Sequence, residues 1–166
     1  LSKNGTDDPQ ANGEKLPDLS ALPMRPPLFC AGCGHRDVFW VLHKLKVTVN
    51  SDIGCYALGV LPPLDATDTL GAMGASIGVA IGMRLAGLKD RNVAVIGDST
   101  FFHSGLPALA AAVYNRTPIT VVVVDNRTTG MTGHQGHPGS GQTLTGGQTE
   151  PISIAAVSRA MGVHHV

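Results

Sequence analysis

The chain has 166 residues, 43% of them hydrophobic and 14% charged, which is enough apolar material for one domain with a real core and too much for a disordered chain. Lysine plus arginine equals aspartate plus glutamate at 12 each, so the formal net charge is +0 and the basic surface needed for general nucleic-acid binding is absent. No apolar run reaches membrane-spanning length, so a soluble protein with a cytoplasmic location is expected.

The chain opens at Leu1 without a charged-then-apolar leader. At its other end "MGVHHV" reads as a helix end running into a strand that stops early. Both features predict one piece of a longer polypeptide. Residues 1–29 read as a linker or extended arm, because five prolines between Pro9 and Pro27 disfavour helix and central strand alike. A disordered tail is the alternative for the first half of that arm. Residues 30–166 read as one domain.

From His35 to Lys46, the residues Val38, Phe39, Val41, Leu42 and Leu45 form a helical stripe, with His43 on the polar side and solvated. "KVTVNSDIG" predicts a short strand with a polar end. Ala72 to Leu85 predicts a helix of small residues. Gly74, Gly78 and Gly82 recur every four positions in it, a spacing that lets a helix lie close to a sheet or another helix, at up to ~1 kcal/mol of helix propensity each. Asn92 to Ile96 is a strand, Gly105 to Asn115 a helix and Pro118 to Val124 a second strand. "ITVVVV" is apolar throughout, as expected of a parallel strand buried on both faces. Asn126 to Glu150 is a long glycine-rich loop containing "GHQGHPGSG", and loops of that length inside a domain are usually functional or disordered. Ile152 to Met161 is a last helix. No internal repeat is visible. Strands separated by helices predict an α/β fold with a doubly wound, mostly parallel sheet. The 21 glycines suggest many close backbone approaches, as in loops around a cofactor.

In such sheets ligands sit beyond the carboxyl ends of the strands. One strand ends in Gly97-Asp98-Ser99-Thr100, within "VAVIGDSTFFHSG", and the other in Asp125-Asn126-Arg127-Thr128. If the strands are neighbours, Asp98 and Asn126 meet at one rim. A carboxylate, an amide oxygen and a backbone carbonyl form a hard, all-oxygen set. That set suits Mg²⁺ shared with phosphates, since Mg²⁺ is rarely caged by protein alone. Gly97 would let a phosphate approach the backbone, and the helix after Gly105 would offer its free N–H groups to an anion.

"GDS", followed 28 residues after its Asp by the Asn of "DN", resembles the diphosphate-binding signature of thiamine-diphosphate enzymes, which begins Gly-Asp-Gly and ends Asn-Asn. The resemblance implies that Asp98, the Asn126 side chain and the Thr128 carbonyl hold Mg²⁺. Ser99 and Asp125 depart from the signature without removing a ligand. "DTLGAMGASIGVAIGMRLA" is similar to the helix start of the same pyrophosphate-binding domain, where Met73 and Gly74 would contact the cofactor. More narrowly, "FCAGCGHR", "DIGCY", "GDSTFFHSG" and "DNRTTGMTGHQGHPG" resemble the alpha subunits of indolepyruvate ferredoxin oxidoreductases, within the 2-oxoacid ferredoxin oxidoreductases. The likeness covers roughly residues 25–166, and "TGHQGHPG" is its most specific piece. Ala31 and Gly34 depart from it, standing where that family is expected to carry proline.

Cys30, Cys33 and Cys55 are the only cysteines; an odd number with a C-x-x-C does not fit a simple disulfide framework, and no standard zinc spacing closes. The family implies that they bind a [4Fe-4S] cluster with a fourth cysteine from elsewhere. The residues themselves equally allow reduced thiols lining the cofactor site. His35, His103, His134 and His137 all lie in motif segments, where histidine can move protons or make structural hydrogen bonds. His103 and His134 are the preferred catalytic pair because they follow the two strand ends, with His35 as a third candidate. His35 and Asp52 are assigned to the cofactor wall, joined by Gly54, Cys55, Ser99 and Thr100. Met73 and Met131 would be apolar walls or core filler. Arg127 offsets carboxylates or is simply exposed.

The resemblance implies oxidative decarboxylation of a 2-oxoacid, an aryl pyruvate such as indolepyruvate, to an acyl-coenzyme A, with electrons passed to Fe-S centres and ferredoxin. The glutamate that activates the cofactor belongs in that family to a separate pyrimidine-binding domain or subunit. Glu14 and Glu150, the only glutamates, lie in the arm and at a loop end. The chain is therefore expected to be the pyrophosphate half of a dimer or hetero-oligomer. The alternatives are a non-oxidative thiamine-diphosphate decarboxylase or synthase, which has no use for the cysteines, and a degenerate cofactor-binding module. A Rossmann nucleotide binder is disfavoured, because no G-x-G-x-x-G follows a strand.

Overall fold

The computed structural model describes Ser20 and residues 22–166. Its elements run α1 (His35–Leu45), β1 (Thr48–Ser51), a 3₁₀ turn (Cys55–Val60), β2 (Thr69–Leu70), α2 (Ala75–Leu85), β3 (Asn92–Gly97), α3 (Asp98–Thr100), a π-helical segment (Phe101–Gly105), α4 (Leu106–Tyr114), β4 (Thr120–Val124), a second 3₁₀ turn (Gly130–Thr132) and α5 (Ile154–Ala160). The four strands form one parallel sheet in the order β2-β1-β3-β4.

β3 is buried along its whole length, and its period-two alternation builds two cores. Val93 and Val95 pack with Phe39 and Leu42 of α1 and with Val49 and Tyr56. Ala94 and Ile96 face the other way, onto Ile77 and Ala80 of α2 and Leu109 and Ala112 of α4. Helices thus cover both faces, and the doubly wound arrangement expected from the sequence holds. A polar ladder pins β1 to β3 inside this core. Asn50 Nδ2 donates to Asn92 Oδ1 at 2.6 Å, Asn92 Nδ2 donates to the Ala80 carbonyl at 2.7 Å and Thr69 Oγ1 donates to Asn50 Oδ1 at 2.8 Å. Buried amides are satisfied in this way only when neighbouring elements sit in register.

Several expectations are corrected. β4 is an edge strand, so Thr120 is exposed and Val121 to Val123 are half-buried rather than covered on both faces. α2 starts at Ala75, not Ala72, because Gly74 before it turns with φ 87. The glycine spacing in α2 does not mediate close packing. A Cβ at Gly78 or Gly82 would meet nothing within 4 Å, and only Gly74 is crowded, against Ser104. Helix after β3 begins at Asp98 itself and continues through the π-helical segment, so "STFFHSG" is helical and the helix start lies at Asp98 rather than after Gly105. Residues 163–166 form no strand, and the last helix is Ile154–Ala160. The described part of the arm, residues 22–29, has no regular element; Leu22, Met24 and Leu28 are exposed and Phe29 packs on the α1-side core. Apart from Ser20, the rest of the arm, with Glu14, lies outside the described residues.

Candidate functional site

The pairing of β3 with β4, with Gly97 opposite Val124, brings Asp98 and the Asp125–Thr128 segment to one rim at the carboxyl end of the sheet. Asp98 is only 3% exposed. Its Oδ1 accepts from the Ser99 N–H at 2.7 Å, and its Oδ2 accepts from the Arg127 N–H at 2.7 Å. Arg127 has φ 58, a left-handed backbone that aims its N–H at both Asp98 and Asp125. Asn126 Oδ1 accepts from the Thr128 N–H at 3.2 Å, and Thr129 Oγ1 donates to Ser99 Oγ at 2.8 Å. The loop after β4 is thereby tied down over the start of α3. Gly130 approaches this loop closely: a Cβ there would lie 3.5 Å from Asn126 Nδ2 and 3.8 Å from Cys55 Sγ. Cys55 and Asn126 therefore flank the same point.

Asp98 has a partner that the sequence reading did not assign. His137 Nε2 lies 3.1 Å from Asp98 Oδ2, and its side chain is 4% exposed. The available signal was the "HPG" that sets a turn in the most specific motif; what was missing was any local reason to send this histidine, rather than His134, to Asp98. Tyr56 was missed as well. Its hydroxyl accepts from the Gly97 N–H at 2.9 Å and donates to the Ile53 carbonyl at 3.1 Å. Burial pushes the phenol pKa up, and the Asp52 carboxylate adds to the effect. Tyr56 also corrects the reason for Gly97. A Cβ there would lie 3.0 Å from the Tyr56 ring, so the glycine admits the tyrosine rather than a phosphate. Gly54 likewise leaves room for that ring.

Asp52 is also reassigned. It is fully buried, and its carboxylate accepts from the N–H groups of Ile53 at 2.8 Å, Gly74 at 2.6 Å and Ser76 at 3.0 Å. It caps α2 from the end of β1 and is wholly buried in doing so. Among the three histidines expected to be catalytic, His35 comes to the site. Its ring stacks edge-on to Tyr56 at 5.9 Å, and its buried Nδ1 has no partner. Burial lowers its pKa from 6.5, partly opposed by Asp98. His103 and His134 are exposed, His103 on the π-helical segment and His134 on the loop with φ 64. Met73 and Met131 are 45% and 55% exposed, so neither fills the core. Thr100 is buried and its carbonyl accepts from Ser104 Oγ at 3.4 Å.

Cys30 is exposed, Cys33 and Cys55 are half-buried, and all three are free thiols. Among the described residues no three His, Cys, Asp or Glu side chains gather to hold a metal ion. The three cysteines of this chain therefore do not fit a cluster by themselves.

Residues 52–166 match the family described as thiamine pyrophosphate enzyme, C-terminal TPP binding domain. The chain belongs to that family. The matched segment of this TPP-binding domain contains every residue around Asp98 described above except His35. The domain is similar to the indolepyruvate oxidoreductase subunit IorA of Pyrococcus horikoshii, 49% identical over 161 residues, which cover 87% of this chain and 25% of that protein. It is similar to the same subunit of Methanothermobacter thermautotrophicus, 43% identical over 162 residues, covering 92% and 26%. The chain thus spans about a quarter of the length of these curated relatives. Among solved structures it resembles a 2-oxoglutarate:ferredoxin oxidoreductase from Magnetococcus marinus, with a TM-score of 0.66 at 24% identity over 84% of this chain and 53% of that one, a likeness of fold.

Two side-chain oxygens at the rim of the TPP-binding domain have acceptor capacity to spare. Asp98 Oδ1 and Asn126 Oδ1 each carry one hydrogen bond within the protein, leaving acceptor capacity on both. With the Thr128 carbonyl they form an all-oxygen set of the kind Mg²⁺ takes together with phosphate oxygens. Among the described residues no helix is long and apolar enough to cross a membrane.

Proposed function

We propose that this chain is the diphosphate- and Mg²⁺-binding part of a thiamine-diphosphate-dependent 2-oxoacid:ferredoxin oxidoreductase acting on aryl pyruvates such as indolepyruvate. The observation that carries the reading is the Arg127 N–H on Asp98 Oδ2 at 2.7 Å, which folds the end of β4 over the end of β3. Asp98, Asn126 and the Thr128 carbonyl would hold Mg²⁺. Residues 30–166 would form the binding domain. Thiamine diphosphate, when bound, supplies the carbanion chemistry that decarboxylation of a 2-oxoacid requires. The chain's own residues bind and orient. Ser99 and Thr129 lock the loop to the helix start, Cys55 lies beside Asn126, Met73 and Met131 would add apolar walls, and His35, edge-on to Tyr56, would be the histidine of the site.

The relatives named for indolepyruvate support the substrate class, and their greater length supports a complex in which other domains supply the pyrimidine-activating glutamate, the Fe-S centres and the docking of coenzyme A and ferredoxin. Three free thiols suit the reducing cytoplasm. The test is calorimetry with thiamine diphosphate and Mg²⁺ on the complete complex, alongside iron and sulfide determination and turnover of indolepyruvate. Asp98→Asn is expected to abolish metal-dependent cofactor binding. A preparation of this chain alone that turned over a 2-oxoacid would refute the division of labour.

A further inference from the structure

His137 is held from three sides. Its own N–H donates to Ser140 Oγ at 3.1 Å, and its carbonyl accepts from the Ser140 N–H and Oγ, both at 2.8 Å, closing a turn over Pro138. The ring packs against Phe102 with centroids 6.1 Å apart. The Gly139 N–H points at His137 Nδ1 from 3.1 Å. An Nδ1 that accepts leaves the hydrogen on Nε2, so the ring is neutral and Nε2 donates to Asp98 Oδ2 at 3.1 Å.

A carboxylate offers about four acceptor positions, two on each oxygen. On Asp98 both positions of Oδ2 are used, by the Arg127 N–H and His137 Nε2, and one of Oδ1 is used by the Ser99 N–H. The remaining position is on Oδ1. We propose that His137 is a positioning residue that saturates Asp98 Oδ2, so that Asp98 offers a divalent cation one oxygen only and the site prefers Mg²⁺ to Ca²⁺. The inference rests on the reading of Asp98 as a Mg²⁺ ligand. Mg²⁺ demands near-octahedral geometry with short bonds, whereas Ca²⁺ takes more oxygens and accepts both oxygens of one carboxylate. A neutral donor suits this task better than lysine or arginine would, because it occupies Oδ2 without cancelling the charge that attracts the cation. Outer-shell partners of this kind typically change metal affinity 10–100-fold when removed.

The experiment measures thiamine-diphosphate binding to the complete complex by calorimetry, with Mg²⁺ or Ca²⁺ as the added cation. His137→Phe keeps a ring against Phe102 but removes the donor, and His137→Gln keeps an N–H near the Nε2 position. Expected is a fall of at least about tenfold in the Mg²⁺:Ca²⁺ preference for His137→Phe, with the preference largely retained by His137→Gln. The proposal is overturned if His137→Phe keeps the wild-type preference, whether overall binding weakens or not, or if the two variants lose it equally. Should His137→Phe fail to assemble, His137→Ala replaces it with the same expectation. Asp98→Asn separates the two readings. If it leaves Mg²⁺-dependent binding intact, the metal assignment itself fails. If it abolishes that binding while the histidine variants keep the preference, only the role of His137 fails.

Discussion

Replacing Asp52 by asparagine exchanges one oxygen for an NH₂ group and keeps the shape. The native carboxylate accepts three N–H donors, from Ile53, Gly74 and Ser76, in a fully buried position. An asparagine can keep its oxygen on Ile53 and Gly74, but its NH₂ then faces the Ser76 N–H, donor against donor. One buried N–H is left unpaired, at about 1–3 kcal/mol, and the other two bonds lose their charge assistance at roughly 1 kcal/mol between them. Removing the anion from the start of α2 adds about 0.5–1 kcal/mol. The sum is about 2.5–5 kcal/mol, or roughly two to nearly four decades in an opening equilibrium. Amide hydrogen exchange on the complete complex reads this directly, as a loss of protection of roughly 100-fold to several thousand-fold in the first turn of α2 wherever exchange proceeds through opening of that turn. Protection falling less than about tenfold would refute the capping role. A loss of cofactor affinity with protection unchanged would restore the sequence expectation that Asp52 lines the cofactor.

Tyr56→Phe leaves the buried Gly97 N–H without an acceptor and should destabilise the domain by about 1–3 kcal/mol, seen as a lower unfolding midpoint of the complex. Gly97→Ala sets a methyl 3.0 Å from the Tyr56 ring and should lower the midpoint as well; an unchanged midpoint would show that the ring yields freely. At Gly74, alanine meets both the left-handed backbone, at ~1–2 kcal/mol, and Ser104, so Ser104→Gly should restore only the steric part of the loss. His35 gives a pH signature. Its folded pKa lies below 6.5, so the unfolded chain takes up the proton first, and stability is full above 6.5 and declines as the pH falls from there towards the folded value. His35→Gln should flatten that part of the unfolding profile, and an identical slope in the variant would count against the burial of this imidazole.

The family was legible from residues alone, and so was the meeting of the two strand ends that carry Asp98 and Asn126 at one rim. A buried parallel strand ending in Gly-Asp leaves a carboxylate at the rim whatever lies around it. The burial of β4 was overestimated because an unbroken apolar run looks the same on an edge strand as on a central one, and the difference depends on what lies beyond the edge. The helix start was misplaced because glycine at residue 105 reads locally as a boundary, whereas the chain absorbs it in a π-helical turn that continues into α4. His103 and His134 were favoured over His137 because proximity in sequence was the only distance available.

What the sequence determined by itself is whatever depends on nearest neighbours along the chain. It fixed the alternation of strands and helices, the two-sided core through the period of Val93 to Ile96, and an oxygen-rich rim at two strand ends. What only the tertiary structure decided is which distant group meets which. Asp98 bonds to His137 39 residues away, Asp52 to Gly74 and Ser76 at separations of 22 and 24, and Tyr56 to Gly97 at 41. Residue type says that a buried carboxylate must be satisfied, but closing those loops and packing the sheet selects the donor.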